Sequence, residues 1–141
     1  MVEIKDLSQE TLVPFLTKLI SSEETLELRD DFNNDTKNYQ FALYTVNDEL
    51  MGGVTGKQSF NSMHVSLLGV DKSLRGKGYG KLLMEKMESI ARSENLNHIT
   101  VTTLSSQAPD FYKSLGFTEI GRINDFPIKG SQKIYLVKYL K

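Results

Sequence analysis

The stretch Leu74–Met87, LRGKGYGKLLMEKM, places glycine at 76, 78 and 80 and then uses none through Met87. Downstream, Tyr79, Leu82, Leu83, Met87, Ile90 and Ala91 recur at helical spacing, so the bare backbone leads straight into an amphipathic helix. A glycine-rich turn at a helix start lets several N–H groups converge on an anion, and the helix dipole adds partial positive charge there. Side chains at those positions would hold the anion off.

Elements on either side set the context. MHVSLLGV (Met63–Val70) reads as the strand before the turn, and HITVTTL (His98–Leu104), rich in β-branched residues, as the strand after the helix. Strand, helix and strand imply a crossover between parallel neighbours. Upstream, YQFALYTV and ELMGGVTGKQSF flank the turn residues Asn47 and Asp48, and Asn61 and Ser62 make a second turn, so three runs form an antiparallel meander. Downstream, PDFYKSL is a short helix with Pro109 in its first turn and Gly116 past its end, and FTEIGRI and QKIYLVKYL are closing strands. At the amino terminus, VEIKDL alternates like a short strand. SQETLVPFLTKLI then starts as a helix near Ser8 or Thr11, with Leu12, Phe15, Leu16 and Leu19 on one stripe, and an acidic, helical SEETLELRDDF and a loop NNDTKN follow.

Composition narrows the classes. The chain has 141 residues, 39% hydrophobic and 25% charged, the balance of one globular domain over residues 1–141. A formal net charge of −1 carries no footprint for nucleic acid, which is not expected as a partner. With no cysteine and only His64 and His98, no metal site is expected. No segment reads as a signal peptide or a membrane span, so no membrane partner is expected and the cytoplasm is the expected location.

Known nucleotide loops fail position by position. A dinucleotide fingerprint counted from Gly76 and Gly78 needs glycine at 81, where Lys81 stands; a Walker loop needs glycine at 75 and Ser or Thr at 82, where Arg75 and Leu82 stand. What fits is Arg-x-x-Gly-x-Gly, written as Arg75, Gly78 and Gly80 in RGKGYG after the strand SLLGV. This resembles the acetyl-coenzyme A signature of the GNAT superfamily of N-acetyltransferases. A second landmark, QAPDFYKSLGF, is similar to the family's later helix, with Ala108, Tyr112 and Gly116–Phe117 at its spacing. The resemblance covers the chain from about Phe41 to Lys141.

That resemblance implies an α/β (α+β) fold: a mixed, central splayed sheet of six to seven strands flanked by about four helices. It implies acetyl-CoA as cosubstrate, its pantetheine arm in a gap between MHVSLLGV and HITVTTL and paired with backbone at Leu68, Gly69 and Val70. The pyrophosphate is expected on the N–H groups of Arg75, Gly76, Lys77, Gly78, Tyr79, Gly80 and Lys81, with charge added by Lys77, Lys81 and Lys113, and with Phe111 beside the coenzyme. Many relatives carry Asn seven residues before the tyrosine; here Ser105 stands there, with less reach.

Acetyl transfer to an amine needs a neutral nitrogen, a polarised carbonyl and a proton for the departing thiolate. The resemblance makes Tyr112 the general acid, and a backbone N–H near Leu68 the donor to the carbonyl oxygen. Counting back from Arg75, His64 holds the place where some relatives carry a glutamate base, and alternation puts it on one face with Ser66, Leu68 and Val70. The other reading of His64 is a half-exposed strand-start residue without a chemical role, and His98 reads as structural. For the acceptor, Glu23, Glu24, Glu27, Asp30, Asp31 and Asp35 either attract a cationic amine or form a solvated face. The aromatic and proline turn NDFPIKG either walls the acceptor pocket or is loop architecture. The expected reaction is acetylation of a small primary amine (amino acid, polyamine or aminoglycoside-like). Alternatives are acetylation of a protein or peptide amino group and a non-catalytic acyl-CoA-binding domain; the resemblance leaves room for a homodimer.

Overall fold

The computed structural model describes residues 1–21 and 36–141, and the chain divides into two units, residues 1–33 and 34–141. The acidic helix and the carboxylates Glu23, Glu24, Glu27, Asp30, Asp31 and Asp35 lie outside the described residues.

In the first unit the described structure is one helix, α1 (Gln9–Ser21). Ser8 caps it: its carbonyl accepts from Thr11 and Leu12 N–H at 3.2 and 2.9 Å. Val2–Leu7 is not a strand. Alternation over six residues is a weak pattern, and a strand exists only through hydrogen bonds to a neighbour.

The second unit is a six-stranded mixed sheet with two further helices among the described residues: β1 (Thr36–Tyr44), β2 (Leu50–Ser59), β3 (Ser62–Val70), α2 (Tyr79–Ser93), β4 (His98–Leu104), α3 (Pro109–Ser114), β5 (Thr118–Asn124) and β6 (Gln132–Tyr139). The spatial order is β1-β2-β3-β4-β6-β5. β1, β2 and β3 form the expected antiparallel meander, and β3 and β4 are the parallel pair joined through α2. β1 begins at Thr36, inside the stretch expected to be a loop. Its polar start is held by pairing with β2, Thr36 opposite Ser59, a partner its own composition does not announce.

One face of the sheet is the core face. Val54, Met63, Val65, Ile99, Val101, Ile134 and Leu136 are buried there with Leu83, Met84, Met87 and Ala91 of α2 and with Tyr112 and Phe117. Each of the larger aliphatic side chains, and likewise Phe117, contributes about 1.5–3 kcal/mol by leaving water. The expected helix stripe is off by one position at its start: Met84 is buried, whereas Leu82 is 55% exposed. Residues 83, 87 and 91 follow one row and 84 lies beside it; at about 100° per residue, 82 points nearly opposite the middle of that stripe.

The sheet is split. β3 and β4 pair only at Ser62–His98, Met63–Ile99 and His64–Thr100. Beyond that point β3 pairs with β2 alone, as far as Val70, and β4 with β6 alone, as far as Leu104. The parting coincides with a bulge: Val65 pairs with Gly56 and Leu67 with Thr55, so Ser66 is an extra residue in β3. A bulge bends its strand and increases the local twist, which carries β3 away from β4.

The bulge also corrects the expected faces. Before it, Lys57 and His64 are opposed, and both lie on the face away from the core, because their neighbours Gln58 and Met63 are fully buried. After it the alternation shifts by one residue. Leu67 shares His64's side and is 71% exposed, while Leu68 and Val70 pack on the core. His64 therefore does not share a face with Leu68 and Val70.

Candidate active site

The glycine loop is built by local interactions. Where β3 ends, Asp71 caps a short 3-10 turn, Lys72–Leu74, its side chain accepting from Ser73 N–H at 3.0 Å and from Ser73 Oγ–H at 2.8 Å. These two bonds, backbone first, hold the Asp71 carboxyl below its ordinary value. This Asp-x-Ser cap is a local signal legible in the sequence, because the side chain bonds two residues on. Arg75 closes the turn: its N–H donates to Lys72 O at 3.3 Å and its Nε–H to Val70 O at 3.0 Å. Arg75 is thus a strut, and its N–H is already taken rather than aimed at a phosphate.

After Arg75 the amides change character. Gly76 and Gly78 have φ of 77° and 85°, a region costly for other residues, and a Cβ built on either meets nothing within 4 Å. Leu82 N–H, donating to Gly78 O at 3.0 Å, is the first to join the helix ladder. The six N–H groups of Gly76–Lys81 have no acceptor among the described residues. Six successive free donors around open glycines at a helix start form a cradle that fits a diphosphate.

This cradle faces a cleft of about 300 Å³ whose lining includes Val70, Leu74, Arg75, Gly78, Tyr79 and Phe111. Phe111 reaches it from α3 and lies against Gly80, where a Cβ would stand 3.2 Å from Phe111 Cζ. The third glycine thus serves close packing and the first two serve the turn. Lys81 also lines the cleft, 3.9 Å from Glu85. Lys77 has no acidic partner among the described residues, whereas Lys113 is 3.6 Å from Glu119, whose carboxyl Arg122 holds below its ordinary value. Ser105 is not brought to this cleft. It lines a separate polar cleft with Asn124, Asp125 and Gln132, and its N–H donates to Gln132 O at 3.0 Å.

The gap opens beside the cradle. Asp71 N–H donates to Met51 O at 2.7 Å, so the strand edge at 71 faces β2. By alternation Gly69 faces β2 as well, and Leu68 and Val70 turn their N–H and C=O into the gap. The Val70 carbonyl is the one Arg75 caps; Leu68 keeps its pair of backbone groups on the gap side.

The two expected catalytic side chains stand on opposite faces of the sheet. Tyr112, on α3, is buried on the core face with its ring edge-on to Phe111 and Phe117 at 5.1 and 5.8 Å. Burial raises its pKa above 10.0, so the phenol keeps its proton at neutral pH. Its hydroxyl has no partner, yet Gln58 Nε2 is the only side-chain polar atom both sealed and unpartnered among the described residues, so the Tyr112 oxygen reaches solvent. His64 is half-buried on the opposite face at the vertex of the split, its Nδ1 2.8 Å from Thr100 Oγ1. Burial first, then the charge of Lys133, lower its pKa below 6.5. His98 is occupied structurally: Asn97 Nδ2 donates to its Nδ1 at 3.0 Å, and its ring lies 5.9 Å from Tyr139.

A sheet parted along half a strand, with an anion cradle at the opening, is the architecture of an acyl-coenzyme A transferase. Comparison with known proteins agrees. The acetyltransferase (GNAT) domain family matches residues 3–126. Blasticidin-S acetyltransferase of Streptomyces morookaense is 37% identical over 103 residues, covering 71% of this chain and 75% of that protein. Among solved structures, an acetyltransferase of Bacillus cereus ATCC 14579 superposes with a TM-score of 0.80 at 29% identity, over 99% of this chain and 98% of that one. An aminoglycoside 6'-N-acetyltransferase complexed with coenzyme A superposes at 0.67 and 15% identity over 99% and 98%, a likeness of fold alone. The chain belongs to the GNAT acetyltransferase family and is an acyltransferase that uses acetyl-CoA. No described helix is long and apolar enough to cross a membrane.

Proposed function

We propose that residues 1–141 form one catalytic domain that acetylates a primary amine of a small molecule (an amino acid, polyamine or aminoglycoside-like compound) by direct attack in the cytoplasm. The observation that carries this is the row of six unpartnered amides, Gly76–Lys81, at the mouth of a gap with a base candidate on one face and an acid candidate on the other. The small-molecule acceptor is supported by the name of the blasticidin-S relative.

Bound acetyl-CoA supplies an activated acyl carbon and a thiol leaving group. The amides Gly76–Lys81 hold its diphosphate, with Lys77 and Lys81 adding charge and Phe111 forming a wall. The Leu68 N–H, turned into the gap, donates to the carbonyl oxygen as negative charge grows there. His64 takes the proton of the acceptor ammonium, and its lowered pKa leaves it neutral and ready to do so at pH 7. The amine lone pair forms the C–N bond, the C–S bond breaks as Tyr112 gives its proton to the departing sulfur, and the nitrogen, which still carries one proton more than an amide, releases it to solvent. Solvent returns a proton to Tyr112 and removes the one on His64, so the reaction yields an amide and free thiol. The gap is what lets acid and base, on opposite faces, address the same carbonyl.

The test is release of coenzyme A thiol with a panel of small amines. Turnover is expected to depend on the amine and to fall roughly 100-fold in kcat for Tyr112→Phe, which keeps the ring and loses the proton. Tight acetyl-CoA binding with no turnover on any amine or peptide would instead leave a coenzyme-binding domain.

A further inference from the structure

His64 and Thr100 are the last pair before β3 and β4 part, and they lie on the same face. Thr100 Oγ1 stands 2.8 Å from His64 Nδ1 and has no other hydrogen-bond partner among the described residues. The other ring nitrogen, Nε2, has no partner among the described residues, and since it is not among the sealed, unpartnered atoms there it is open to solvent.

A neutral imidazole carries one N–H, and which nitrogen carries it decides whether the exposed one can act as a base. If Thr100 donated its hydroxyl hydrogen to Nδ1, the proton would sit on Nε2 and the exposed nitrogen would be a donor. If Thr100 accepts, Nε2 holds the lone pair. We propose that Thr100 is a positioning residue for the acetyl transfer: its hydroxyl oxygen accepts the Nδ1–H of His64, holding the imidazole in the tautomer whose Nε2 faces the acceptor amine. This rests on His64 being the base.

Accepting is also the arrangement that survives the reaction. The imidazolium formed when His64 takes a proton has N–H on both nitrogens, so an accepting Thr100 keeps its bond unchanged, whereas a donating one would have to turn over. The groups facing His64 are Thr100 from β4, Lys57 opposite it on β2, and the charge of Lys133 from β6. Lys133 opposes a charged imidazole, and neither lysine offers an acceptor. Thr100 is thus the hydrogen-bond acceptor in register with the ring at the vertex. A valine there keeps the β-branched shape and removes the acceptor.

Nitrogen-15 NMR of the His64 ring in the wild-type protein, without ligand, reads the tautomer directly. The expected spectrum has the proton on Nδ1. In Thr100→Val that preference is lost and the His64 titration midpoint moves down by about one pH unit, because the imidazolium loses a charge-assisted bond; Thr100→Ser restores both. The acid limb of the kcat/KM profile for amine acetylation shifts with the midpoint, with KM for acetyl-CoA unchanged. A wild-type ring protonated on Nε2, or a midpoint that rises in Thr100→Val, overturns the proposal, and whether His64 is still the base is then read from loss of the acid limb in His64→Gln. A ring with the expected tautomer but an unchanged acid limb in His64→Gln removes the base, and the role of Thr100 goes with it.

Discussion

The two ends of β3 stand in opposite circumstances. Ser62–His64 is held on both edges, by β2 and by β4; Leu67–Val70 is held on one edge and offers the other to the gap. The difference is a single inserted residue, Ser66. Before it, alternation places His64 on the face away from the core; after it, alternation packs Leu68 against the core with its backbone toward the gap. A strand normally satisfies its hydrogen bonds wherever it can, because an unpaired buried amide costs about as much as a lost hydrogen bond. Here half a strand withholds them, which is what a ligand that pairs with backbone requires.

Deleting Ser66 is the strongest way to break that contrast. The pairs Val65–Gly56 and Leu67–Thr55 already exist on either side, so the deletion makes β3 regular and allows it to stay beside β4. Turnover is expected to fall roughly 1,000-fold or more as the reacting groups lose their passage, while the thermal unfolding midpoint holds or rises. A variant that keeps its turnover would show that the bulge does not create the site.

Gly80→Leu attacks the other wall. A side chain there meets Phe111 from 3.2 Å outward, so the cleft closes and acetyl-CoA affinity, measured by calorimetry, is expected to fall about 100-fold. Full affinity would place the coenzyme away from α2 and Phe111.

His64→Gln probes the paired half. About a tenfold loss in kcat/KM is expected at pH 7, with the acid limb of the profile, which in the wild type lies below 6.5, removed. Stability has a definite sign as well. A histidine with a depressed folded pKa binds its proton more readily when unfolded, so wild-type stability falls as the pH drops from about 6.5 to the folded value. The glutamine variant is expected to lack that loss in urea titrations across the same interval.

Lys77→Ala is the mildest. Lys77 is exposed and has no acidic partner among the described residues, so its loss is expected to raise KM for acetyl-CoA about threefold in dilute buffer and to have little effect at high salt. A larger, salt-independent effect would mean that Lys77 shapes the loop rather than supplying charge.

Much of this was legible in the chain itself. Gly76, Gly78 and Gly80 before an amphipathic run announce the loop, and Pro109 with Gly116 bounds α3, because turns and caps are decided within a few residues. Leu82 shows the limit: several phases fit the same apolar residues, and packing into the common core selected the one that buries Met84. Arg75 looked like a phosphate ligand, but its reach back to Val70 O depends on where β3 stops. Ser105 looked like a coenzyme contact, but the pairing of β4 with β6 draws it toward Gln132.

By itself the sequence determined the kinds of element, their order, and a backbone cradle for an anion, since dihedral preference and helix ends are properties of neighbouring residues. The tertiary structure alone decided that Ser66 is a bulge, that His64 and Tyr112 stand on opposite faces, and that Thr100 meets a histidine 36 residues away. Strand register is settled by the whole sheet at once: shifting a pairing by one residue exchanges every face beyond it, while the local alternation looks the same.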